Sequence, residues 1–218
     1  YYLFYERIWS FTDSEILARS STDLVDWSPP TVVLAPSLPW ETGAQHTTGN
    51  PFVMKRDGAY WLYYSADGVF LPDTGFYEPK FIGLARANAP LGPYTKEPEP
   101  ILGPDWREPY RNYGAGSMKL LDEQIEGRWI ALNNGIAFDF EGRTRSAIQV
   151  LSSEDGIHWE TLCPAPILAP TDEGWKTSFV YAFDTARAGD TIRVYFNARQ
   201  GWRRGTERIG LATLTLPR

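Results

Sequence analysis

The chain has 218 residues, 43% of them hydrophobic and 22% charged, which excludes disorder and supports a substantial core in one large domain or two small ones. A formal net charge of -6 argues against a nucleic-acid partner, and no apolar run reaches the ~18 residues of a membrane-spanning helix, so no membrane partner is expected. One cysteine (Cys163) and two histidines (His46, His158) allow neither an intrachain disulfide framework nor a cysteine-rich zinc site, and leave little for a histidine metal centre. Aromatic residues stand at 15%, nine of them Trp, a content that suits stacking of sugar rings on indole faces.

In chain order, Tyr1-Tyr2-Leu3-Phe4-Tyr5 already reads as strand, with no initiator methionine or leading turn, so an N-terminally truncated sequence is expected. Aromatic strand cores recur at Trp61-Leu62-Tyr63-Tyr64, Trp129-Ile130-Ala131-Leu132 and Ile192-Arg193-Val194-Tyr195-Phe196. Each of these follows a tight turn (Asp57-Gly58, Glu126-Gly127, Gly189-Asp190) and an earlier apolar strand, which is hairpin chemistry. A third strand follows each core, as in Ile16-Leu17-Ala18, Ile82-Gly83-Leu84-Ala85, Ile148-Gln149-Val150-Leu151 and Ile209-Gly210-Leu211-Ala212. A fourth closes three of the units in nearly the same words: Val33-Leu34-Ala35-Pro36, Ile101-Leu102-Gly103-Pro104 and Ile167-Leu168-Ala169-Pro170, with a tryptophan soon after at Trp40, Trp106 and Trp175. From Leu34 to Leu102 to Leu168 the period is 68 and then 66 residues.

Four antiparallel strands repeated in this way predict an all-β fold, a β-propeller, with a β-sandwich as the alternative. The expected organisation is a single propeller domain over 1–218, with blades at about 1–36, 48–104, 113–170 and 177–216. The first unit lacks an inner strand and the last an outer one, so about four blades are present and roughly one is missing.

Second-to-third connections (6–15, 65–81, 134–145, 199–208) and connections between blades (37–49, 105–113, 171–177) read as long, and in a propeller both emerge on one face. That face collects aromatics and polar groups, including Trp9, Glu41, His46, Glu78, Trp106, Glu108, Asp139 and Trp202. Ring stacking with carboxylate and amide partners is what a carbohydrate site needs. The repeating Trp40, Trp106 and Trp175 serve equally well as packing between blades, whereas Trp9 and Trp202 do not repeat and are the better binding candidates. His46 meets a sugar hydroxyl, binds a central ion through water, or is a satisfied histidine beside an inner strand. Arg199, Arg203, Arg204 and Arg208 flank Trp202; they suit an anionic sugar such as a uronate, or simply offset Glu207 and the acidic net charge.

The stretch Gly49-Asn50-Pro51-Phe52-Val53-Met54-Lys55-Arg56-Asp57-Gly58-Ala59-Tyr60-Trp61-Leu62-Tyr63-Tyr64-Ser65-Ala66 resembles a blade of the five-bladed propeller glycoside hydrolases, the arabinanase/β-xylosidase and invertase-like families. Ser20 to Trp27 and Leu151 to Trp159 resemble their third-strand turns. The resemblance implies a five-bladed type of propeller and carboxylate catalysis around a central pocket, with one acid protonated and one ionised. It also leaves room for a calcium ion at the axis; no other cofactor is expected. The chain departs from the pattern at Asn50, where those families place Asp, and at Gly114-Ala115-Gly116-Ser117 and Thr177-Ser178, which carry no acid. The first-blade Asp would fall upstream of Tyr1.

Glu108, in Trp106-Arg107-Glu108-Pro109-Tyr110, is the first choice for a general acid, with an ion pair to Arg107 or Arg111 as its alternative role. Glu41, one repeat earlier in Trp40-Glu41-Thr42, is the second choice. Substrate-binding candidates are Trp9, His46, Asn50, Glu78, Trp106, Asp139 and Trp202. The expected function is hydrolysis of glycosidic bonds in plant or microbial glycans, arabinofuranosidase- or xylosidase-like. A non-catalytic carbohydrate-binding propeller is the alternative, and a scaffold for protein contacts the third. An oligo- or polysaccharide is the expected partner, with the compartment, cytoplasmic or secreted, left open.

Overall fold

The computed structural model describes residues 1–215, and the expected end of the fourth repeat at 216 lies outside them. Fourteen strands run in order: β1 (Tyr2–Ser10), β2 (Asp13–Ser20), β3 (Thr31–Leu34), β4 (His46–Arg56), β5 (Ala59–Leu71), β6 (Phe76–Ala87), β7 (Thr95–Lys96), β8 (Met118–Ile125), β9 (Arg128–Phe138), β10 (Thr144–Ser153), β11 (Glu160–Thr161), β12 (Phe179–Ala188), β13 (Thr191–Gln200) and β14 (Thr206–Thr215). Apart from a single 3-10 turn at Pro39–Glu41, no helix occurs among the described residues.

The chain separates into two compact units. Of the described residues, the first comprises 1–69, 78–104 and 114–118, and the second 70–77, 105–113 and 119–215. Sequence-adjacent strands pair antiparallel, giving the propeller blades expected from the repeats: β1-β2-β3 and β4-β5-β6-β7, then β8-β9-β10-β11 and β12-β13-β14. Short parallel bridges join consecutive blades, Asp13 to His46 and Ser14 to Thr47 in the first unit, Ser146 to Phe179 in the second.

Local chemistry fixes the turns. Asp57 and Gly58 both take left-handed backbone (φ 49° and 80°), as do Glu126 and Gly127 (φ 52° and 77°), which is the two-residue turn whose twist matches a hairpin. The second-to-third connections are shorter than expected, because aromatic and aliphatic residues continue the ladders: β5 runs to Leu71, β9 to Phe138 and β13 to Gln200. Phe70 and Tyr77 illustrate this, their ring centroids 5.2 Å apart beside the turn. The fourth strands are correspondingly weaker than expected. Leu102 and Leu168 make only isolated bridges to Ile82 and Ile148. Pro98, Pro100, Pro164 and Pro166 lie just before them and cannot donate to a ladder.

Each unit has its own core, and one packing device recurs in both. In the first, Trp40 stacks on Tyr64 at 6.0 Å, and a Cβ at Gly83 would fall 2.4 Å from the Tyr64 ring and 2.6 Å from Trp40. In the second, Trp175 stacks on Phe196 at 5.8 Å, and a Cβ at Gly210 would fall 2.5 Å from Phe196 and 2.8 Å from Trp175. The glycine in each Ile-Gly-Leu-Ala strand therefore opens a slot that a tryptophan from the preceding connection fills. Trp40 and Trp175 are thus packing residues. Counted from the turn, the equivalent pair in the third blade is Asn133 and Gln149, both fully buried. Gln149 stands at the glycine's position, its Oε1 2.7 Å from where a Cβ of Gly135 would lie, and Trp106, the tryptophan of the preceding connection, is 85% exposed.

Alanine at Gly83 must displace two rigid rings. Gly83→Ala is expected to destabilise the protein by about 1–3 kcal/mol, the usual cost of overpacking, measured as a fall in the denaturant midpoint without a change in slope.

Candidate functional site

At the start of β4, the first unit gathers the ends of β1 and β2. Asp13 accepts hydrogen bonds from Ser10 Oγ (2.8 Å) and Thr12 Oγ1 (2.9 Å). These bonds, and more weakly the nearby His46, hold its carboxyl below the usual carboxylate range. His46 is exposed, and its backbone N–H donates to the Thr12 carbonyl at 2.7 Å. Asn50 sits at a bulge with φ 47°, a left-handed conformation that asparagine tolerates, and its amide donates to Ser65 Oγ at 3.2 Å. Ser65 in turn donates to the Gly116 carbonyl at 2.6 Å, which fixes the Asn50 orientation.

Sequence reasoning missed Glu6. A Cβ at Gly49 would lie 2.3 Å from the Glu6 carboxylate, so this side chain rests directly on the β4 backbone beside Asn50. The legible signal was a carboxylate inside the largely apolar run Leu3–Ile8, where the adjacent charge is Arg7, matched by a glycine at the strand it faces. Trp9 is exposed on β1, with its Nε1 donating to Glu15 at 2.9 Å and the Arg7 guanidinium 4.1 Å over its ring. Glu78 lies half-buried within β6 rather than in a loop.

Glu41, the second choice as general acid, is fully buried and saturated. Its carboxylate accepts the Ser37 and Leu38 backbone N–H groups (2.7 and 2.8 Å), the Tyr64 hydroxyl (2.7 Å) and the Lys96 ammonium (2.6 Å). Burial, with the adjacent Glu41 charge, pushes the Tyr64 phenol far above its ordinary range, while burial pulls Lys96 down against the pull of Glu41. With no face left for a substrate, Glu41 anchors the connection between blades; the structure corrects its expected catalytic role.

The second unit contains a cavity of about 640 Å³. It is bounded by the β9–β10 turn (Phe140, Arg143), the start of β10 (Arg145), Tyr110, Asp172 and Trp202. Asp139 organises this turn. Its carboxylate accepts the backbone N–H groups of Glu141 and Arg143 (both 2.9 Å) and Arg145 Nε (3.0 Å). Burial opposes its ionisation, but the Arg143 N–H and the Arg145 guanidinium outweigh it and hold the carboxyl below the usual range. Asp73 caps the start of β10 through the Thr144 N–H at 2.8 Å, and the Thr144 carbonyl accepts Trp202 Nε1 at 2.9 Å. The Arg143 and Arg145 guanidinium groups lie 5.0 and 4.7 Å from the Trp202 ring centroid.

Glu108 is half-buried in the turn Asp105–Arg111, whose backbone closes through Glu108 N–H to the Asp105 carbonyl (2.9 Å) and Arg111 N–H to the Glu108 carbonyl (3.0 Å). Arg107 is committed to Asp105 through 3.0 and 2.7 Å bonds, which, with the Arg107 N–H, push the Asp105 carboxyl down to about 2. Arg111 is buried beside Glu108. Among the described residues, no three His, Cys, Asp or Glu side chains group as metal ligands. No helix among them is long and apolar enough to cross a membrane.

Two outcomes follow from these networks. Glu41→Ala is expected to cost about 3–5 kcal/mol in a denaturant titration, because it leaves the Lys96 charge buried and unpaired. Asp139 has a folded-state pKa below its unfolded value, so its contribution is full above the ordinary carboxylate range and lost as the pH falls through the folded value. Amide exchange at Glu141 and Arg143 is expected to accelerate on that acidification, and at neutral pH in Asp139→Ala; unchanged protection in the variant contradicts the organising role.

The family model for glycosyl hydrolases family 43 matches residues 1–147. Among solved structures, a thermostable family-43 glycoside hydrolase is 26% identical, with a TM-score of 0.57 over 78% of this chain and 56% of its own. A protein described as a glycoside hydrolase gives a TM-score of 0.74 at 14% identity, covering 97% of this chain and 66% of its own. The Bombyx mori family-32 β-fructofuranosidase gives 0.65 at 16% identity, covering 99% and 43%. These last two similarities show the β-propeller fold, and the chain spans no more than 66% of the length of these three structures. No curated protein matches the chain. With two-thirds of its length matched by the family model, the chain belongs to glycosyl hydrolases family 43.

Proposed function

We propose that the protein is a glycoside hydrolase that cleaves glycosidic bonds in plant or microbial glycans, arabinofuranosidase- or xylosidase-like in its choice of sugar, by carboxylate general acid/base chemistry. The family-43 match over residues 1–147 carries this reading. Such chemistry divides between a carboxyl that gives a proton to the leaving oxygen and a carboxylate that stays ionised. Glu108 is the proton donor in this proposal, half-buried on a turn closed by two backbone hydrogen bonds. The first unit, taken by itself, carries its own carboxylates: Asp13, held ionised by Ser10 and Thr12, and Glu6, lying on Gly49. His46 and Asn50 supply exposed polar groups beside Asp13 and Glu6; in the second unit Trp106, 85% exposed on the turn that carries Glu108, supplies a stacking face of its own.

The alternative is a carbohydrate-binding propeller without turnover. Asn50 favours it, standing where the resembling families place an acid and already held by Ser65.

Aryl arabinofuranosides and xylosides assayed with the full-length native protein separate the two. Glu108→Gln is expected to lower kcat about 10²–10⁴-fold with KM little changed and the fold intact, the usual weight of a general acid. Glycan binding without turnover in the unmodified protein establishes the alternative. Turnover within a few-fold of normal in Glu108→Gln removes Glu108 from the mechanism.

A further inference from the structure

We propose that the cavity of the second unit is a subsite for a sugar residue bearing an anionic substituent, a carboxylate or a sulfate, with Arg143 as its charge partner. The inference deepens the glycan reading above and rests on it.

The charge accounting around the cavity points this way. Arg145 is spoken for: its Nε meets Asp139 and its Nη1 donates to the Thr177 carbonyl. Glu207 is shared by Asn197 (3.1 Å) and Arg199 (3.6 Å), so it offsets Arg199 and not the arginines that follow Trp202. Arg203 and Arg204 have exposed side chains and no ion pair among the described residues. Arg143 has one long contact, 3.6 Å to Glu141, and both side chains are about half exposed. Three arginines thus remain uncommitted or nearly so on the two turns that rim one cavity, in a chain whose net charge is -6. The acids near them are Glu141, in that one long contact, and Asp172, the single acid on the cavity wall.

Geometry adds specificity. The Arg143 guanidinium lies 5.0 Å from the Trp202 ring centroid, and the indole is fixed by its Nε1 bond to the Thr144 carbonyl. A guanidinium held against an aromatic ring keeps in-plane N–H groups available for two parallel bonds to a carboxylate or sulfate. The Trp202 turn is itself tight: Gly201 N–H donates to Ser178 Oγ at 2.8 Å, and a Cβ at Gly205 would lie 2.3 Å from the Gln200 carbonyl. Phe140, 99% exposed at the cavity mouth, offers an open ring for the C–H face of a sugar. Asp172, also on the wall, is suited to accept from hydroxyls. A volume of about 640 Å³ is in the range of ligand sites.

The test is calorimetric titration of the full-length protein with trigalacturonate, its methyl ester, a sulfated galactan oligosaccharide and the desulfated form. At least one anionic probe is expected to bind about tenfold or more tighter than its uncharged counterpart, with the preference weakening as salt rises. Which pair shows the preference separates carboxylate from sulfate. Arg143→Gln is expected to abolish the preference and Arg143→Lys to keep part of it, with unfolding midpoints unchanged in both. Equal affinity for charged and uncharged probes, no binding of any anionic probe, or a preference that survives Arg143→Gln overturns the proposal. Hydrolysis of neutral glycosides beside equal binding would sink the subsite and leave the hydrolase reading; anionic preference without hydrolysis of any glycoside would do the reverse.

Discussion

A missing Cβ sets the packing of both units. Gly83 and Gly210 sit in third strands where any side chain would run into an aromatic pair, and the space they leave is filled by an indole delivered from the preceding connection. The contact is worth more than its area, since stacked rings add roughly 0.5–1.5 kcal/mol beyond burial. It also fixes where each connection starts. In the first unit, the connection that carries Trp40 is locked a second time by Glu41, which ties Ser37, Leu38, Tyr64 and Lys96 together.

The third repeat breaks this rule, and the break is informative. Asn133 and Gln149 replace the aromatic and the glycine, and Trp106 is left at the surface on the same turn that carries Glu108. An amide pair buried in place of a ring stack is a poor exchange for stability alone, because buried polar groups demand partners. Both polar atoms of the Gln149 side chain are without a hydrogen-bond partner among the described residues. The turn 105–111 is thereby freed from wedge duty and can present Trp106, Glu108 and Tyr110 instead.

Much of the architecture was legible because it rests on repetition: the turn dipeptides, the aromatic strand cores and the third strands that open on Ile16, Ile82, Ile148 and Ile209 recur at near-constant spacing. The length of the ladders was less so. Side chains at 66–71 and 76–81 alternate no more clearly than loop residues do, and only pairing across the turn shows that they are strand. Among site residues, sequence could place Asp139 and Trp202 on their turns but not distinguish organiser from ligand partner, a difference set by which N–H groups each side chain meets. Glu41 was misread because a carboxylate beside a tryptophan looks alike in sequence whether it faces solvent or a buried lysine. Glu6 was overlooked because its neighbour Gly49 is 43 residues away, and such proximity is a property of pairing between β1, β2 and β4.

The prolines that break two of the fourth strands into a two-residue ladder and a single bridge have a consequence beyond the blade itself. A full outer strand would leave a row of unpaired backbone donors and acceptors at the periphery, a template on which another chain could add strands. Pro98, Pro100, Pro164 and Pro166 remove donors there and interrupt the extended run, so the rim of each of these blades is a poor nucleus for edge-to-edge aggregation.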